Sequence, residues 1–206
     1  MRVSDYTGCA TFPCADVLHS CCCAPAVDVD PQQITVFLIS ESAPSDPAEW
    51  YYAEGNPDFE RTTVAAFNDA GIDIGSIPDI LAMGVYLTAA VKCGKTGYGI
   101  RAATINECSG ILEREINLFP NVKSFLLMGD VAIRSVNAIA RRAGEGRVIP
   151  AGSTYKLRGL PYTFRGARAF PSYLQVGPAY GIEKSKRAMI AEDIAAAVRH
   201  AAGDRG

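Results

Sequence analysis

The sequence predicts an α/β fold built on a largely parallel sheet. Short apolar, β-branched runs alternate with helix-length segments whose apolar residues recur on one face. The stretches between successive runs are long enough for the crossover helices that parallel strands require. With 206 residues, 49% hydrophobic and 20% charged, the chain has the length of one domain and the composition to bury a core.

Residues 1–33 show no clear period and hold a cysteine cluster. Residues 34–39, ITVFLI, read as a buried strand. Residues 40–58, rich in Pro, Ser and acids, read as a long connection, and long connections in small domains tend to carry function. A helix is expected over residues 58–70, stopped by Gly71, and a short one over 77–83, capped by Ser76 and stopped by Gly84. Val85–Val91 is the second strand, followed by the Gly-rich KCGKTGYG. Thr104 with Glu107 matches a capping box opening a helix to about Phe119, with Ile105, Cys108, Leu112 and Ile116 on one stripe. Ser124–Met128 is the third strand, and Gly129-Asp130 leads into a helix ending near Arg142. Residues 148–170 are basic and hairpin-like, PSYLQVGPAYG is a loop, and a last helix is expected from Glu183 to about Ala202.

No apolar run approaches the ~20 residues that span a bilayer, so no membrane partner is expected. The N-terminal MRVSDYTGCATFPC lacks an apolar signal core, which predicts a cytoplasmic protein. Charge divides unevenly. Residues 1–122 carry 6 Lys and Arg against 16 Asp and Glu, and residues 123–206 carry 14 against 6. Either an anionic partner docks on the C-terminal half or the two halves attract each other. Five of the seven cysteines, Cys9, Cys14, Cys21, Cys22 and Cys23, fall within fifteen residues; Cys93 and Cys108 complete the set. In a reducing compartment such a cluster points to a metal or iron–sulfur site rather than disulfides. GKTGYG lacks the spacing of a phosphate-binding loop.

The segments, in order, resemble the uracil-DNA glycosylase superfamily, in particular its iron–sulfur branch. Its first motif, an apolar strand then Gly-Glu-[Ala/Gly]-Pro-Gly and Gly-x-Pro-Phe, is matched by ISESAP, with Glu41 at the acid position, and by GNPDF, with Gly55 and Phe59. Its Tyr-Ile-Thr-Asn-x-Val-Lys-Cys is matched by YLTAAVKC, residues 86–93, with Cys108 after a further 14 residues. LLMGDVA matches a Leu-Gly-x-x-Ala junction, and FPSYL, residues 170–174, stands for His-Pro-Ser-Tyr-Leu. Two positions depart: the Asn that reads the uracil edge falls on Ala89, and the His of the last motif on Phe170. Neither replacement can form those hydrogen bonds.

The resemblance implies one domain over residues 1–206, three-layered α/β/α around a four-stranded sheet. It implies a DNA glycosylase that hydrolyses the N-glycosidic bond of uracil, or of another deaminated or modified base, leaving an abasic site. Glu41 would stabilise the oxocarbenium-like sugar and activate water, with Asp46 and Glu49 as alternatives. The flipped base would meet Phe59, Ala89, Tyr52 and Phe170, with Trp50 and Tyr51 nearby. Ala89 leaves room that a bulkier base, or a tyrosine, would fill. Ser172, Tyr173, Leu174 and Gln175 would supply the wedge and groove contacts to DNA, and Lys184, Lys186 and Arg187, with Lys156, Arg158 and Arg165, its phosphate contacts. Cys9, Cys14, Cys93 and Cys108 would hold a [4Fe–4S] cluster in a monomer, with Cys21, Cys22, Cys23 and His19 as rival ligands; His200 reads as a surface residue. A cluster-bearing nucleic-acid-binding protein whose catalytic set has decayed, or a redox protein, would share most of these features.

Overall fold

Successive side chains of a strand point to opposite faces, and residues 36–39 show it. Val36 and Leu38 enter one buried apolar cluster, Phe37 and Ile39 another. The structure, a computed structural model, describes residues 1–181 and 183–203, without the side chains of Cys21, Pro178 and Ala179. The reading of Cys21 as a rival ligand therefore lies outside the described residues. In chain order the strands are β1 (Val17–Cys22), β2 (Val36–Ser42), β3 (Val85–Val91), β4 (Cys93–Lys95), β5 (Ser124–Met128), β6 (Tyr162–Phe164) and β7 (Ala167–Ser172). The helices are α1 (Asp58–Asp69), α2 (Ile77–Ala82), α3 (Ala102–Ile116), α4 (Asp130–Arg142), α5 (Thr154–Leu157) and α6 (Lys184–Ala202).

Five strands, not four, form the main sheet, in the order β3-β2-β5-β7-β6. The first four run parallel. The extra strand comes from the basic stretch: β6 turns back on β7 through Arg165 (φ 50°) and Gly166 (φ 80°), the paired left-handed residues of a tight hairpin, and adds antiparallel at the edge. Residues of α3 and α4 belong to the Phe37 cluster, and those of α1, α2 and α6 to the Val36 cluster, so helices cover both faces of the sheet.

From β2 the chain passes to β3 on one side and then to β5 on the other. The carboxyl end of β2 is therefore the point where strand order reverses, which is where open α/β sheets bind ligands. β2 ends at Ser42, three residues beyond the expected strand, so Glu41 lies within the sheet rather than in the loop after it.

A two-stranded ribbon stands apart from the main sheet. β1 pairs antiparallel with β4, with Cys22 opposite Cys93. Gly94 lets the segment after β2 lie against this ribbon, because a Cβ there would fall 2.6 Å from the Pro44 carbonyl oxygen and 2.7 Å from Ser45 Cα. The Thr104 hydroxyl is hydrogen-bonded to Asp16 from the N-terminal segment, and α3 starts two residues earlier, after Arg101, without a side-chain cap. The expected capping box is thus absent, because docking of the N-terminal segment claims its threonine.

Beneath the ribbon lies a buried ion pair. Lys92 Nζ meets the Glu115 carboxylate and donates to Thr88 Oγ1 and the Ala89 carbonyl, each at 2.7 Å. Glu115 also accepts from the Tyr86 hydroxyl at 2.6 Å and the Thr88 hydroxyl at 2.9 Å. This bonding is what makes a buried charge pair tolerable, and it locks β3 to α3.

Candidate active site

Glu41 is half-buried at the reversal point, with β3 on one side and β5 on the other. Its Oε1 accepts from the Val131 amide at 3.4 Å, in the first turn of α4, where unpaired amides favour a negative charge. Gly129, with φ 100°, brings the chain in: a Cβ there would lie 2.5 Å from Glu41 Oε1 and 2.7 Å from its Cγ. The carboxylate opens on a cleft of about 300 Å³ shared with Asp130, Thr154, Tyr173, Leu174 and Lys186. That volume is at the lower end for small-ligand sites.

The alternative acids have structural tasks. Asp46 accepts from the Ala48 amide at 2.9 Å, capping a short 3₁₀ turn, and Glu49 accepts from the Asp58 amide at 2.5 Å at the start of α1. Both line a separate opening of about 470 Å³ that also holds Phe59 and Arg61. Phe59 and Glu41 therefore do not share a cleft.

Tyr51 is buried, its ring 5.2 Å from that of Phe59 in an edge-to-face arrangement, with Trp50 packed on both. The Gln175 amide donates to its hydroxyl at 2.8 Å, and the hydroxyl lies near Ser40, the β2 residue paired with Ala89. Burial raises its phenol pKa and keeps it protonated. Ala89 itself is fully buried. Tyr52 has another job: its hydroxyl donates to the Leu87 carbonyl at 2.8 Å and accepts from the Leu87 amide at 3.3 Å along the outer edge of β3. Phe170 packs in the core of β7 beneath the Arg168 guanidinium, 5.1 Å from its centroid, with the His200 ring 6.0 Å away. Neither Tyr52 nor Phe170 lines the Glu41 cleft.

Of the expected wedge residues, Tyr173 and Leu174 are half-exposed on the cleft. Gln175 and Ser172 point inward and offer no surface to DNA. Gln175 is fully buried on Tyr51, with its carbonyl oxygen unpartnered, and the Ser172 hydroxyl donates to Asp193 at 2.6 Å. Lys186 lies 5.5 Å from the Tyr173 ring centroid and 2.8 Å from Glu183. Lys184 and Lys156 are exposed. Arg187 is committed to Asp69, joining α6 to α1; Arg158 holds Asp193 and Glu192; Arg165 holds Glu113 and Asn117. Much of the positive half thus answers acids within the fold.

The thiols gather at the β1–β4 ribbon and the adjoining face of α3. Cys9, Cys14 and Cys108 line a cavity of about 170 Å³ with Glu107 and Arg114. Cys93 lies within electrostatic range of Cys9 and Cys108, and its thiol is hydrogen-bonded to Cys22. That bond brings Cys22 down to about 7 and pushes Cys93 upward. Burial raises Cys14, and raises Cys108 to about 11. Cys22, a rival in the sequence, thus joins the expected four, and only the β1–β4 register reveals it. Cys23 packs in the other core cluster, and His19 Nε2 lies 2.6 Å from the Cys14 carbonyl oxygen, its ring 5.3 Å from Phe12. Among the described residues, no three His, Cys, Asp or Glu side chains converge tightly enough for a single metal ion. Three of the thiols, Cys9, Cys14 and Cys108, line one cavity, and Cys22 and Cys93 lie outside its lining; soft thiols are the donors an iron–sulfur cluster takes.

The chain matches no protein-family model and no curated protein.

Proposed function

We propose that this protein is a DNA glycosylase that removes uracil or another deaminated or modified base at the Glu41 cleft. One observation carries the reading: a half-buried carboxylate, seated on the α4 N-terminus at the strand-order reversal, opens on a cleft rimmed by Tyr173 and Leu174. In the proposed step, the bond between the sugar C1′ and the base nitrogen breaks and its electron pair leaves with the base. Glu41 stabilises the cationic sugar and takes a proton from the water whose oxygen bonds C1′. Tyr173 offers the base a ring face within the cleft, while Phe59 lines the separate opening beside Asp46 and Glu49. A [4Fe–4S] cluster held by Cys93, Cys108 and two of Cys9, Cys14 and Cys22 would cross-link the N-terminal segment to β4 and α3. We place the protein in the cytoplasm, as a monomer.

Abasic-site formation on oligonucleotides carrying deaminated and alkylated bases tests this. The wild type is expected to convert at least one. Glu41→Gln should slow that conversion in single turnover by about 10²-fold or more while binding persists. No conversion by the wild type of any base would overturn the reading. A second reading, a nucleic-acid-binding protein without excision, is favoured by Tyr51, whose ring meets Phe59 and whose hydroxyl lies near Ser40, the Ala89 partner, at the family's base position.

A further inference from the structure

A groove of about 420 Å³ runs along α4, between the first turn of α3 and residues 147–157. Arg134, Arg141 and Arg147 line it, over an apolar floor that includes Ile105 and Ile133. Arg141 and Arg147 are exposed and, among the described residues, make no ion pair or side-chain hydrogen bond. Arg134 meets Asp130 at 3.5 Å, both side chains largely in solvent. Arg142, Arg158, Arg165 and Arg187, by contrast, are each bound to a carboxylate. The groove therefore offers two uncommitted guanidinium groups, Arg141 and Arg147, beside the solvent-exposed Arg134–Asp130 pair, and guanidinium groups suit phosphate oxygens. The start of α3 is already met by an acid, since the Arg101 amide donates to the Asp16 carboxylate at 2.7 Å, so the charge of the groove comes from its arginines. The wall is firm: the Asn137 side chain donates to the Ile149 carbonyl at 2.9 Å and accepts from its amide at 3.0 Å.

Asp130 and Thr154 line both this groove and the Glu41 cleft, so the two adjoin. We infer that the groove holds the sugar–phosphate backbone of the unpaired strand flanking the target nucleotide. Phosphates would meet the arginines, and sugars the groove wall. This assignment rests on the excision reading for its strand but not for its charge chemistry.

The test is fluorescence anisotropy with a labelled single-stranded oligonucleotide, titrated at several salt concentrations, alongside the abasic-site assay. The variants are the Arg134→Gln, Arg141→Gln, Arg147→Gln triple, the same three positions changed to Lys, and a control changing exposed Arg2 and Arg199 to Gln. At ~0.7 per neutralised phosphate, three lost contacts make log K against log salt shallower by about two. The Gln triple should show that change, while the Lys triple and the control keep the wild-type slope. A Gln triple that binds like wild type overturns the groove. So does a Lys triple that loses as much as the Gln triple, because charge is then not what the groove offers. If the wild type forms no abasic sites yet the Gln triple loses slope, the groove stands and the excision reading falls. If the wild type forms abasic sites and the Gln triple keeps its slope, the reverse holds.

Discussion

A Cβ on residue 129 would stand 2.5 Å from the Oε1 of Glu41, so the carboxylate occupies its seat because residue 129 is glycine. The same residue starts α4, with φ 100° and ψ 168°, a region open almost solely to glycine. One position thus serves both the helix start and the acid.

Gly129→Ala should therefore damage activity more than its stability cost suggests. Backbone strain costs about 1–3 kcal/mol, and a carboxylate displaced by an ångström costs about 10² in single-turnover rate. Urea denaturation and abasic-site kinetics on one preparation measure both; an unchanged rate would show that the seat does not matter.

Lys92 and Glu115 should be strongly coupled. Lys92→Met leaves a buried carboxylate without its cation, at about 3–5 kcal/mol. Lys92→Met with Glu115→Leu removes both charges and should cost clearly less than the two single losses combined. A denaturation double-mutant cycle reads the difference.

Acid should weaken the α1–α6 junction. The hydrogen bond from Arg187 holds Asp69 below the usual carboxylate range, and Tyr180 adds to it. A depressed native value gives stability that is present above the unfolded-state pKa, near 4, and is lost as pH falls through the native value. Arg187→Gln should cost about 0.5–1 kcal/mol at neutral pH, because the pair is partly exposed, and progressively less toward pH 2. Stability curves for both proteins across that range check the sign.

Protein purified without oxygen should contain about four irons per chain. Cys93→Ser and Cys108→Ser should each abolish iron retention. Of Cys9→Ser, Cys14→Ser and Cys22→Ser, two should lose iron and one keep it. Iron analysis with the visible spectrum reads this without any activity assay, and an iron-free wild type would exclude the cluster.

Periodicity alone placed β3 and β5 to the residue, because their side chains are buried on both faces and read as unbroken apolar runs. β2 was harder to end: Ser40 and Ser42 are polar yet paired with β3, and Ser40 and Glu41 are satisfied by neighbours distant in sequence, Thr88 and Val131. Thr104 and Glu107 matched a local motif, but Asp16 from the N-terminal segment took the hydroxyl. Glu41 was legible as a candidate from its position after an apolar run. The partners of Arg158, Arg165 and Arg187 were not, since each acid lies 34 or more residues away in sequence. Gln175 followed the wedge pattern of a loop, yet its burial depends on Tyr51, 124 residues earlier.

The Tyr52 hydroxyl occupies both backbone groups of Leu87 on the free side of β3. An open sheet margin normally invites a strand from another molecule. Here one phenol closes that margin near its middle, and at the opposite margin β6 is a mere three residues long. Neither rim of the main sheet therefore offers a second chain much to extend.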